Sequence, residues 1–180
     1  VGKLSISRRH ADGRPDATFG PGIAGVVELP SIGAFDRLIP VGLVVQPEGS
    51  GWVLVEASDF AGSLDPRAAM VRFGVTGSIQ AALVLAPITS EAERPRDLAR
   101  TPIGRILVLS EVGEFPTSRT LVRQLDSTTL SPDPSFGGGG SVLFAADSVE
   151  LRETPACFTV DPAGRIFIAG GSYNTLVQEA

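Results

Sequence analysis

The sequence predicts an all-β protein built from repeated four-stranded antiparallel sheets, and three observations carry that prediction. A Pro-x-Gly turn followed by a short apolar run occurs three times: Pro47-Glu48-Gly49 before Trp52 to Val55, Pro102-Ile103-Gly104 before Ile106 to Leu109, and Pro162-Ala163-Gly164 before Ile166 to Ala169. The turn glycines are 55 and then 60 residues apart (104 − 49 and 164 − 104). The apolar runs are short and β-branched, and the 21 glycines and 14 prolines are spread between them rather than clustered. A unit of this length cannot bury its own apolar face, so it stacks on its neighbours.

Each unit resolves into four expected strands. The first precedes the Pro-x-Gly turn, at Val41 to Val45, Asp97 to Thr101 and Ala156 to Val160. The second is the apolar run just quoted. It is apolar at consecutive positions, so it predicts burial on both faces rather than one. The third follows a loop, at Ala68 to Phe73, Thr120 to Leu125 and Thr175 to Gln178. The fourth is Ile79 to Leu85 in one unit and Ser141 to Phe144 in the next. Ser90 to Arg100 could form a short helical turn, which Pro95 limits.

The N-terminus enters in mid-unit, with Leu4 to Arg8 as a third strand and Gly25 to Leu29 as a fourth. Asp16-Ala17-Thr18-Phe19-Gly20 reappears as Asp133-Pro134-Ser135-Phe136-Gly137, and Gly77-Ser78-Ile79 fills the intermediate place as a tight turn. The expected units are 1–29 (half), 38–85, 96–144 and 156–180 (incomplete). Phe19 and Phe136 are expected to plug the gap between adjacent sheets. Arg8, Arg72 and Arg123 are expected to bond carbonyls or an acidic neighbour there.

These residues resemble the delta-60 repeat, a family of bacterial β-propellers whose activity is largely uncharacterised. Asp16, Phe19 and Gly20, Asp133, Phe136 and Gly137, the three Pro-x-Gly turns, and Arg8, Arg72 and Arg123 carry the match. The middle Phe-Gly is absent, and Gln178 stands where an arginine belongs. The resemblance implies a partial β-propeller of about three four-stranded blades, in a secreted or cell-surface protein. Starting at Val1 with two incomplete units, the chain reads as a piece of a longer propeller. Its open strand edges call for the remaining blades or a second copy to close the ring.

Composition narrows the function classes. The 180 residues are 43% hydrophobic and carry a net charge of −5, with no basic stripe of the kind nucleic acid requires. No apolar run reaches the ~20 residues of a helical membrane span. The single cysteine, Cys157, lies in an apolar run and reads as a small core residue, not a nucleophile. His10, the only histidine, lies in a surface loop. Gly137 to Gly140 lack the Lys-Ser/Thr of a phosphate loop and read as a flexible connection. The seventh residue before each turn glycine is Gly42, Asp97 or Cys157, which is no ligand set. No cofactor or metal is expected, and a catalytic role is not.

In an antiparallel meander the loops alternate between the two ends of the sheet. Those after first and third strands repeat; those after second and fourth strands do not. Variation between units marks where function is placed. The variable face comprises 58–67, 111–118 and 170–173 with 30–37, 87–96 and 145–155. Asp59, Phe60, Asp65, Arg67, Glu111, Glu114, Phe115 and Tyr173 are its candidate binding residues, suited to a protein or polar ligand. The alternative reading is part of a metal-dependent, lactonase-like propeller hydrolase with ligands in missing blades.

Overall fold

A computed structural model describes residues 4–20, 25–29, 31–114, 118–144 and 151–174, with backbone alone at 151–153 and 172–174. Twelve strands and no helix make up these residues: β1 (Ser5–Ser7), β2 (Val26–Glu28), β3 (Arg37–Val45), β4 (Gly51–Ser58), β5 (Arg67–Phe73), β6 (Ile79–Val84), β7 (Glu93–Arg100), β8 (Ile106–Val112), β9 (Arg119–Leu125), β10 (Ser141–Phe144), β11 (Leu151–Val160) and β12 (Ile166–Asn174). They form two four-stranded meanders, β3-β4-β5-β6 and β7-β8-β9-β10, and two hairpins, β1-β2 and β11-β12. The all-β expectation holds. The expected strand at 175–178 lies outside the described residues.

The chain divides into two compact units, residues 1–64 with 68–86, and residues 65–67 with 87–180. In the first, hairpin β1-β2 lays Ile6 and Val27 against Val53, Val55, Ala69 and Val71 of the meander. Phe19 fills the gap between them and meets Phe73 edge-on, with ring centroids 6.0 Å apart. In the second, Leu107, Leu109 and Val122 of the meander pack on Phe158, Val160 and Ile166 of hairpin β11-β12, with Phe136 beside them. Both phenylalanines therefore occupy the place expected of them.

Trp52 to Val55 of β4 and every residue of β8 are buried, as their uninterrupted apolar character predicts. β12 departs from that pattern, with Phe167 53% exposed. Its expected double burial needs a further sheet, and β12 has β11 as its only strand partner among the described residues. Cys157 is exposed rather than in the core. Strand alternation puts Phe158 on the packed face and its neighbour Cys157 on the other.

The first strand of each unit is longer than expected, starting at Arg37, Glu93 and Leu151 rather than near the turn. A β-bulge lies inside each, at Pro40/Gly42, Pro95/Asp97 and Pro155/Cys157. Proline has no N–H to give, so in a sheet it is confined to edge strands and bulges. The chain passes the proline by skipping one residue (Val41, Arg96 or Ala156) and resumes pairing. Residues 93–96 are accordingly strand, neither helical turn nor loop, and Arg152 and Glu153 lie within β11.

Candidate functional site

On the repeated side, aspartates cap turns of both hairpins and of the β7-β8-β9-β10 meander. Asp16 Oδ1 accepts from the backbone N–H and the hydroxyl of Thr18, at 2.9 and 2.6 Å. Asp133 does the same with Ser135, at 3.0 and 2.7 Å. A short polar side chain that mimics a backbone acceptor is the reason for aspartate at these places. Thr18, together with Arg8, holds Asp16 down from its ordinary 3.8 to about 2. The backbone N–H groups of Thr129 and Thr128 hold Asp126 to about 2 as well.

Arg8 donates to Asp16 at 2.8 Å, to the Val75 carbonyl at 2.6 Å and to Thr18, and lies over the Phe19 ring. Arg105, from the Pro102–Gly104 turn, pairs with Asp126 and with Asp133. These contacts bring the loops after first and third strands together, as the meander requires. Arg123 differs from Arg8: it is buried and grips the Glu93 carboxylate through Nε and Nη2, while Ser110 donates to the same carboxylate at 3.0 Å. The true counterpart of Arg8 is Gln124, since Asp16 donates its N–H to the Arg8 carbonyl as Asp133 does to that of Gln124. Arg123, expected to match Arg8 in the repeat, is therefore one residue out of step with it.

Gly137 to Gly140 form a hydrogen-bonded turn rather than a flexible connection, with Gly138 N–H on Ser141 O and Gly140 N–H on Phe136 O. Gly77 N–H likewise bonds Gly74 O, closing the tight turn expected there.

The variable loops also come together within each unit. In the first, Asp59 is the organiser: Oδ2 accepts from the Ser63 N–H and hydroxyl, and Oδ1 from the Leu64 N–H. Those bonds lower its pKa, the Ser63 hydroxyl contributing most. Asp36, in the preceding loop, accepts the Phe60 N–H at 2.9 Å. Phe60 is thus held at both ends of its turn and is still 58% exposed. Asp65, the next residue in the chain after Leu64, is exposed and is grouped with the second unit.

In the second unit the charges are largely used by one another. Glu111 is buried and paired with Arg96, the bulge residue of β7. Glu114 is exposed and pairs with Arg94 at 2.6 Å. Arg67 donates to the Glu91 carbonyl, and Arg119 pairs with the Glu91 carboxylate. Tyr173 lies in β12 opposite Arg152, in a strand rather than a loop. Phe115 lies outside the described residues.

Sequence reasoning missed Glu93 and Arg96 as strand residues, and it placed Asp97 in a strand without its partner. Asp97 Oδ2 accepts the Phe158 N–H at 2.9 Å and so fastens β11 to β7. The signal was present: Pro40, Pro95 and Pro155 each stand nine residues before a turn glycine, so the bulges repeat with the turns.

Among the described residues no group of three or more His, Cys, Asp or Glu is arranged to hold a metal ion. No helix there is long and apolar enough to cross a membrane. Compared with known protein families, characterised proteins and solved structures, the chain matches none.

Proposed function

We propose that this chain is a non-catalytic binding scaffold of the β-propeller kind, akin to the delta-60 repeat proteins, that docks a protein partner on its variable loops around Phe60. The observation that supports it most is the build of the 58–64 turn. An aromatic ring is presented to solvent on a backbone tied down by two aspartates, Asp36 and Asp59. A ring held in place loses little freedom on binding, which is why rigid aromatics dominate interface energetics. Leu64, whose N–H Asp59 also holds, adds a second exposed apolar side chain to the same turn. In the second unit Glu91, Glu111 and Glu114 already hold arginines, so the reading rests on the first unit alone.

A photoreactive phenylalanine analogue placed at Phe60, in the organism that encodes the chain, tests the reading. Val75 is the control, an exposed apolar side chain on the repeated side of the same unit. A discrete adduct at Phe60 and none at Val75 is expected. Adducts at neither position, or equally at both, would remove the argument for this face.

A further inference from the structure

The two hairpins are complementary halves of one sheet. Hairpin β11-β12 repeats the first two strands of the meander β7-β8-β9-β10: the bulge prolines pair alike, Pro95 with Ser110 and Pro155 with Gly170. Hairpin β1-β2 repeats its last two strands. Arg8 takes the N–H-to-carbonyl bonds of Gln124, with Gly25 in the place of Gly140 and Asp16 in that of Asp133. Each hairpin is a two-stranded sheet, so among the described residues one edge of β12 and one of β1 carry no strand.

The intact meander serves as a template for joining them. In it Leu107 lies opposite Gln124, Val108 opposite Arg123 and Leu109 opposite Val122. Transferred to the hairpins, this register sets Phe167 opposite Arg8, Ile168 opposite Ser7 and Ala169 opposite Ile6. Side chains agree with it. Leu107, Leu109, Val122 and Phe158 form one buried cluster. Their equivalents are Phe167, Ala169, Ile6 and Leu43, of which Phe167 and Leu43 are each 53% exposed. Leu98, which matches Leu43 in the other meander, is only 7% exposed. Leu4, Ile6, Val41, Leu43 and Val53 line a groove of about 390 Å³ beside the open edge of β1, where Phe167 would enter. Charge agrees as well. Arg105 reaches Asp133 at 3.1 Å, and their equivalents are Arg165, whose side chain is three-quarters exposed, and Asp16.

We propose that β12 of one chain pairs with β1 of a second copy in this register, reciprocally, so that two copies complete each other's half-sheets. Phe167 then fills the groove against Leu43, and Arg165 meets Asp16. The inference rests on the equivalence of the strands, not on the reading of Phe60 as a docking site. Between two copies such a contact closes when it is made in both directions, and β12 and β1 each carry what the other needs.

Light scattering coupled to size exclusion on the purified 180-residue chain, over a concentration series, is expected to report twice the chain mass. Phe167→Asp and Leu43→Lys are each expected to give monomers with unchanged far-ultraviolet dichroism. Mixed in equal amounts, they should regain the dimer, since one contact becomes an ion pair and the other is wild type. A wild-type monomer at all concentrations, or a dimer that both variants keep, overturns the proposal. The second measurement uses Ser7→Cys with Ile168→Cys in a Cys157→Ser background. Oxidation is expected to produce a band at twice the chain mass on a non-reducing gel. A cross-link confined to single chains, or none, overturns it.

Discussion

Arg123 shows how one residue type can be read correctly for the wrong local reason. The repeat places an arginine in the third strand, and an acidic partner is expected for it. The structure supplies Glu93, buried beside Ser110. Taking two charges out of water is expensive, and removing one of them strands the other. Arg123→Met alone is therefore expected to destabilise the protein by about 3–5 kcal/mol. Arg123→Met with Glu93→Leu should recover most of that loss, because no charge is left unpaired. Urea unfolding of the two variants beside the wild type measures the difference. If the double variant is as unstable as the single one, lost packing outweighs the uncompensated charge. Glu111 teaches the same point for the candidate site. Its charge made it a surface candidate, and the bulge at Pro95 turned Arg96 onto it.

At the scale of the element, the Asp-x-x-Phe-Gly loop is the best-defined part of the fold. Aspartate caps the turn, phenylalanine enters the gap between sheet and hairpin, and glycine lets the backbone fold back. Gly20 and Gly137 both have positive φ, 93° and 55°, and a Cβ at either would lie 2.2 Å from a carbonyl oxygen, of Val26 and Ser141. Neither fit can be relieved by rotating a side chain. Gly137→Ala is expected to cost about 1–3 kcal/mol, through strained backbone and a displaced strand. Gly138→Ala, where a Cβ meets nothing, should stay within about 0.5 kcal/mol of the wild type. Thermal melts of both variants check this, and equal losses would mean that the turn is not under steric control. These loops were legible because their residue types are demanded by the conformation. The bulges were not, although Pro40, Pro95 and Pro155 are visible in the chain. A proline in a predicted loop looks ordinary until pairing extends past it.

For the whole molecule, turn aspartates couple folding to acid. Asp16 and Asp126 are held at about 2, and Asp59, Asp133 and Asp161 are lowered as well, each by bonds that its turn donates to the carboxylate. A carboxylate whose pKa is depressed on folding binds fewer protons folded than unfolded. Its contribution is fully present above the ordinary 3.8 and is lost as pH falls toward about 2. The melting temperature is thus expected to drop between about pH 4 and pH 2, and Asp16→Asn with Asp126→Asn should flatten that drop. A melting temperature that is level through this range would mean that the turns do not persist as bonded.

The all-β class, the four strands of each meander and the turn chemistry are written in local residue types, because glycine, proline and aspartate act over a few residues. Uninterrupted apolar runs also announced β4 and β8 as strands buried on both faces. Which charges are already paired is settled by tertiary packing. It buried Glu111 against Arg96, tied Glu91 to Arg119, and left Phe60 exposed on its locked turn. It also decided that, among the described residues, β12 and β1 are each paired on one side, while the same strand types inside the meanders are paired on both. Local propensity shapes a strand through its own residues, but burial and pairing depend on neighbours supplied by distant parts of the chain.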